Sequence, residues 1–291
     1  MNRSPYTSLS APTHRHGASA VAMAILLFCV MLAAVGGAWA QQSLAAMDRY
    51  ERLREAMTEA PASGEERAAL EAGATEAESN RDDTDDSDGT ADPLMTRAID
   101  WDGLRAINPD IIAWIYVPGT PIDYPVVQAP ASDPDRYLHT TFDGRVAYPN
   151  NEGTIHLDAQ NAADGLNAAS PVLYGHEQLN GSMFSAWRDN YDPEHLASCN
   201  QVYLYTPTTT FHVELFAANI VDATKERLYS DLTVEELQPW LDEKLAESEA
   251  VLAHPQNIKQ LWTFVTCSYT TWRDQRTLSY GITVDRAPAS S

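Results

Sequence analysis

The chain has 291 residues, with 19 Lys and Arg against 41 Asp and Glu, a formal net charge of −22 at pH 7. That length suits one sizeable domain with attachments. Such an acidic balance, with no basic stripe, excludes a nucleic-acid binder, which needs a basic surface to displace counterions.

The first element is an uncharged, mostly apolar run over residues 18–40, and about 20 such residues suffice to cross a bilayer as a helix. Arg3, His14, Arg15 and His16 precede it with no acid among them, whereas Asp48, Glu51, Glu55 and Glu59 follow it. The positive-inside rule therefore places residues 1–17 in the cytoplasm and everything after Gln41 outside. Ala38-Trp39-Ala40 has the small-x-small form of a cleavage site, so a cleaved signal peptide is the competing reading. The run exceeds the ~7 to 15 residues of a signal core, which favours an uncleaved signal-anchor. Both readings export the remainder.

Residues 41–92 read as a helical and then acidic, disordered stalk. Leu44, Met47, Leu53 and Met57 give a helix with a thin apolar face up to about Glu59. From Pro61 to Asp92 large apolar residues all but vanish, and the acidic block Asp82 to Asp88 repels itself. Cys29 lies in the apolar run, so Cys199 and Cys267 are the exported cysteines, a pair that invites a disulfide.

Apolar and aromatic residues resume at Pro93, and 93–286 reads as one domain followed by a tail, 287–291. A helical spacing runs from Asp92 to Ile107 and stops at Asn108-Pro109. Eight candidate strands follow: 112–117, 124–128, 154–158, 171–175, 201–206, 210–221, 260–267 and 277–284. Their number without matching helices favours a mainly β barrel or sandwich. One long helix is inserted at about Thr233 to Leu252, opened by the capping box Thr233-x-x-Glu236. Pro239 lies deep enough inside it to suggest a kink or restart.

Three residues at strand ends carry chemistry. A thiolate at Cys267 is a good nucleophile toward a peptide carbonyl, and the imidazole of His176, just after Tyr174-Gly175, can hold and return its proton. The guanidinium of Arg276 offers several donors to an oxyanion, and the backbone near Ser268 can add another. Each has a plainer reading: Cys267 as a buried thiol or a partner of Cys199, His176 as a structural hydrogen bonder, Arg276 as an ion-pair partner. His156 and Asp158 alternate on one strand at a spacing that can ligate a metal, but no third ligand stands at a recognisable spacing. No metal or cofactor is therefore expected.

Trp114-Ile-Tyr-Val-Pro-Gly-Thr with Ile122-Asp-Tyr-Pro-Val-Val-Gln128, Tyr137-Leu138, Phe142-Asp143-Gly144, Gly153-Thr-Ile-His-Leu-Asp158, Tyr174-Gly-His176 with Met183-Phe184, and Thr266-Cys267 with Arg276 resemble a class B sortase in order and spacing. The likeness covers about Leu104 to Val284. It implies an eight-stranded β-barrel cysteine transpeptidase on the outer face of a Gram-positive membrane. Such an enzyme cuts a C-terminal sorting motif of a secreted protein, often Asn-Pro-x-Thr-x, through a thioester. It then passes the acyl group to an amine of a peptidoglycan precursor or a pilin.

By the same resemblance Cys267 is the nucleophile, His176 the acid and base and Arg276 the oxyanion clamp, in preference to Arg273. Tyr174, Thr266, Ser268 and Leu138 would touch substrate. Val265 stands where class B members commonly have Ser, and Asp133-Pro134-Asp135-Arg136 where they have an Asn, so the motif here is expected to differ. The rival readings are an extracellular cysteine peptidase or peptidoglycan-modifying thiol enzyme, and a non-enzymatic tethered module with a Cys199–Cys267 disulfide.

Overall fold

The computed structural model describes residues 16–58, 92–146, 153–267 and 274–289. The N-terminal residues 1–15, the acidic stalk at 59–91, Ser268, Arg273 and the last two residues lie outside these. The chain divides into two units, one ending at Ala46 and the other beginning at Met47.

The first unit is the upstream part of a helix, α1 (His16–Thr58), which fuses the apolar run to the helical stretch expected after Gln41. Val21–Ala38 within it is long and apolar enough to cross a bilayer. Leu26, Leu27, Phe28 and Val30 are all exposed, as in a helix that is apolar all round. The last turns of α1 belong to the second unit: Tyr50 is buried and Leu53 packs against the main core. Of the thin apolar face, Leu53 packs on the core while Leu44 and Met47 stay exposed, and the compact unit begins at Met47.

The expected helix from Asp92 to Ile107 is two pieces. Asp92 caps a 3-10 turn, Pro93–Thr96, by accepting the Leu94 N–H at 2.9 Å. The chain then extends until Asp100 caps α2 (Trp101–Ile107) through the Gly103 N–H at 2.9 Å. Two aspartate caps in close succession explain the break, since each satisfies orphan donors of a new helical start. Between them Arg97 pairs with Asp123 at 2.7 Å and lies over the rings of Trp114, Tyr116 and Tyr205.

The strands are β1 (Ile111–Tyr116), β2 (Asp123–Gln128), β3 (Ile155–Leu157), β4 (Val172–Gly175), β5 (Gln201–Tyr205), β6 (Thr209–Asp222), β7 (Ala250–Val251), β8 (Trp262–Cys267) and β9 (Gln275–Pro288). The order β5-β1-β2-β3-β4-β8-β9-β6, closed by β5–β6, is an eight-stranded barrel, with β7 added outside on β6. It is mixed: β2–β3 and β4–β8 are parallel and the other pairs antiparallel. Closure leaves few edges to protect. β9 continues to Pro288, with Ala287 and Pro288 paired to Thr210 and Thr209, so strand occupies part of the stretch read as tail.

Short helices α3 (Arg136–His139) and α4 (Pro193–Ser198) lie in the connections. The inserted helix is α5 (Val234–Glu247). The Glu236 carboxylate accepts the Thr233 N–H at 2.9 Å, the N3-to-N-cap bond of a capping box, and the Thr233 hydroxyl donates to the same oxygen at 2.9 Å. Pro239 costs one helical hydrogen bond, yet the helix runs on through it. It stops at Glu247 rather than Leu252, because Ser248 turns extended and Ala250-Val251 join β6 as β7.

Side-chain alternation on β8 sorts the core. Trp262 and Phe264 enter the barrel with Phe184, Trp187 and Phe211. Val265 faces a second cluster formed by Leu237, Leu241 and Leu245 of α5 with Val172, Phe216 and Leu278. A period of two on the strand and an apolar stripe on the helix produce this two-layer arrangement.

Candidate active site

Strand register assembles the site. β4 pairs in parallel with β8 so that Gly175 lies beside Thr266, and the next residues are His176 and Cys267. β8 pairs antiparallel with β9, and there Cys267 lies directly opposite Arg276. His176, far upstream in the sequence, is thereby brought to the same end of three adjacent strands as Cys267 and Arg276.

Beside them is a cavity of about 420 Å³ whose lining includes Leu138, Tyr174, His176, Thr266 and Arg276, together with His156, Glu226, Leu228, Val265 and Leu278. The volume falls in the range of small-ligand clefts. Of the residues expected to act on or touch substrate, those with described side chains, Leu138, Tyr174, His176, Thr266 and Arg276, line this one cavity, whereas Asp158 and Cys199 do not. Ser268 is outside the described residues, and Cys267 is placed through its backbone.

His176 is half-buried, and its Nε2 lies 2.8 Å from the Leu138 carbonyl. A carbonyl only accepts, so Nε2 carries the proton and the neutral ring offers Nδ1 as the base. Burial pulls the imidazole below the usual histidine value; the Leu138 carbonyl opposes this and the Arg276 charge reinforces it. The ring is therefore held neutral near pH 7, the form in which it can take a proton from a thiol.

The backbone around it is tightly fixed. The His176 carbonyl accepts the Phe184 N–H at 3.0 Å, and Met183, at φ 56, makes the turn that returns the chain there. A Cβ on Gly175 would run into the Phe184 ring. Gly153 closes the other side, at φ +57, where a Cβ would sit 2.5 Å from the Tyr137 carbonyl and 2.9 Å from His176 Cδ2.

Tyr174 stacks on His156, with centroids 5.3 Å apart at 22°, and donates its hydroxyl to Asp158 Oδ2 at 2.7 Å. Burial, then the Asp158 charge, push that hydroxyl far above its ordinary range. The other Asp158 oxygen accepts from Ser230 at 3.1 Å. His156 Nδ1 donates to the Thr154 carbonyl at 2.9 Å, and burial lowers the pKa of the ring. The same-face His156 and Asp158 thus brace Tyr174 instead of converging on an ion. Among the described residues no group of three His, Cys, Asp or Glu side chains is arranged to hold a metal.

Arg276 is half-buried at the start of β9. Its neighbour Thr277 donates to the Arg188 carbonyl at 2.8 Å, and the Arg188 side chain reaches Glu177 at 3.3 Å. Arg188 thereby links the strand ends that bear His176 and Arg276. Cys199 is a free, buried thiol that donates toward Asn190 Oδ1 and the His195 carbonyl, both at 3.4 Å. Burial pushes its pKa up to about 11. This corrects the rival expectation of a Cys199–Cys267 disulfide, since the thiol is committed to the core beside Trp187.

Sequence reasoning missed Gly153, Asp158 as a brace, Arg188 and Glu226. Asp158 carried a signal, its alternation with His156, but was weighed as a ligand. Glu226 carried none, because its partner Lys244 lies on α5, with Nζ–Oε1 2.8 Å.

No protein-family model matches the chain. Over 114 residues it is 32% identical to sortase B of Listeria monocytogenes serovar 1/2a, across 39% of this chain and 44% of that protein. Its fold matches the X-ray structure of Clostridium perfringens sortase B with a TM-score of 0.55 and 26% identity, over 64% of this chain and 100% of that one. The chain is a sortase B homologue. Its barrel is of the sortase type. A Staphylococcus aureus sortase B–substrate complex also matches, with a TM-score of 0.55 and 22% identity over 64% of this chain and 85% of that one, and another solved sortase B is complexed with triglycine. The homologue's sequence alignments span under half the length of the curated sortase B proteins it matches.

Proposed function

We propose that this chain is a membrane-anchored cysteine transpeptidase of class B sortase type. In this reading it cleaves a C-terminal sorting motif of secreted proteins and transfers the acyl group to an amine of the cell wall or of a pilin. The observation that supports it most is the register that sets Cys267 opposite Arg276 and Gly175, just before His176, beside Thr266, with His176 and Arg276 both lining one cavity.

Cys267, as thiolate, attacks the scissile carbonyl while His176 Nδ1 takes the thiol proton. The guanidinium of Arg276 meets the oxyanion as charge develops. His176 then delivers its proton to the leaving amine, and a thioester remains on Cys267. An incoming amine attacks the thioester, His176 takes that amine's proton and returns it to the departing Cys267 sulfur, and the free thiol and neutral imidazole are restored. Leu138, Tyr174, Thr266 and Ser268 form the substrate wall. Residues 1–17 are cytoplasmic, 18–40 span the membrane, and the domain works outside the cell on a stalk.

The test is incubation of the full-length chain in detergent with a peptide panel built on Asn-Pro-x-Thr-x, read by mass spectrometry. We expect an acyl adduct on Cys267 with at least one peptide, and none in Cys267→Ala. Adding triglycine should discharge the adduct as a peptide conjugate, whereas discharge to water alone would make the protein a peptidase. An adduct that persists in Cys267→Ala would sink the mechanism.

A further inference from the structure

Gly153 is a point of contact between two parts of the second unit that the mechanism treats separately. On one side it abuts the His176 ring: a Cβ there would lie 2.9 Å from Cδ2 and 3.1 Å from Nε2. On the other, its carbonyl accepts the hydroxyl of Tyr50 at 3.4 Å. Tyr50 sits on the last turns of α1, is only 5% exposed, and packs edge-on against Tyr124 with centroids 5.2 Å apart.

The next residue fixes the shelf to α3. The Thr154 N–H donates to the Tyr137 carbonyl at 2.9 Å, and the adjoining Leu138 carbonyl is the one that His176 Nε2 meets at 2.8 Å. The imidazole therefore rests in a cradle of backbone, and Tyr50 holds the cradle's outer wall. Gly153 at φ +57 has a conformation that any side chain would strain.

We propose that Tyr50 is a positioning residue for His176, acting through the Gly153 peptide, so that the end of α1 is part of the reaction's scaffold. This rests on the reading of His176 as acid and base, but its test does not depend on turnover. Loosening the shelf lets water reach the ring and relieves the burial that disfavours the imidazolium. The charged or titratable groups that line the same cavity, His139, His156, Tyr174, Glu226 and Arg276, stay in place, as does Cys267 at the adjoining strand end. The titration midpoint of His176 then moves up toward the ordinary value of about 6.5.

The experiment uses the full-length chain in detergent micelles with ring-labelled histidine, its His176 resonance assigned by loss in His176→Gln. Tyr50→Phe keeps the packed ring and removes only the hydroxyl. It should raise the His176 midpoint and lower kcat about fivefold at unchanged KM, the worth of one ordinary hydrogen bond. Gly153→Ala attacks the shelf from within and should cost about 100-fold, as expected for displacing a reacting group by roughly 1 Å. If Gly153→Ala fails to fold, Tyr50→Phe decides alone. A folded Tyr50→Phe whose His176 titration matches the wild type overturns the proposal. A shifted titration in Tyr50→Phe, together with a wild-type chain that forms no adduct with any peptide, would uphold the positioning and reject the transpeptidase.

Discussion

Arg276 occupies the register position opposite Cys267 and lines the same cavity as His176. If its planar fork meets the oxyanion, Arg276→Lys replaces a preorganised multidentate donor by a mobile point charge. Loss of one such donor costs about 10²- to 10³-fold in kcat. Near-wild-type turnover in Arg276→Lys would move the role to Arg273. A second expectation concerns acid stability. His156 and His176 both titrate below the usual histidine value because burial disfavours their charged forms. On acidification the unfolded chain takes up these protons near pH 6.5 while the folded chain resists until lower pH. The unfolded state thus binds more protons, and stability falls as pH drops below about 6.5. Tm at pH 5.5 should lie below that at pH 7.5, and His156→Gln should flatten the difference; an unchanged slope in that variant would count against this origin. At this scale the sequence displayed the candidate residues but not their supports. Cys267, His176 and Arg276 stand in short motifs at strand ends, whereas Gly153 and Arg188 matter only through contacts that pairing creates.

The element whose internal logic was most legible is α5, since a capping box and an apolar stripe are local patterns. Its end was not, because Ala250 and Val251 are released to β6 by pairing rather than by any breaker of their own. The division between Asp92 and Ile107 was hidden for a related reason: both aspartate caps lie within an otherwise helical spacing. α5 also braces the cavity. Lys244 is buried with Glu226 at 2.8 Å and Glu247 at 3.1 Å. Burial opposes its charge, yet the two carboxylates outweigh this and raise its pKa. Lys244→Met keeps the bulk and strands Glu226 in the cavity wall. Removing one partner of a fully buried pair costs about 3–5 kcal/mol. Glu226 keeps some solvent, so about 1–3 kcal/mol is expected by urea denaturation. A loss under about 0.5 kcal/mol would mean that solvent already screens the pair.

Across the whole second unit, a barrel or sandwich followed from strand count and turn spacing, the family resemblance pointed to the barrel, and the mixed pairing needed the register. The entry segment is strapped to the outside of that barrel. Asp92 accepts the Tyr203 hydroxyl at 2.6 Å, the Leu94 carbonyl accepts that of Tyr205 at 2.8 Å, and Arg97 pairs with Asp123. Arg97→Ala should lower stability by about 2–3 kcal/mol, through a part-buried ion pair and lost stacking on three rings. A Tm within about 1 °C of the wild type would show the strap to be superficial.

The parallel pairing of β4 with β8 also has a kinetic meaning. Antiparallel neighbours joined by a short turn can zip as they emerge, but β4 must wait for β8, and long β6 must wait for β9. Such distant pairings carry the loop-closure cost before any reward and form slowly. A nascent or truncated chain lacking β8 and β9 therefore holds an imidazole without its thiol, and the pair is joined only when nearly the whole polypeptide is available to fold.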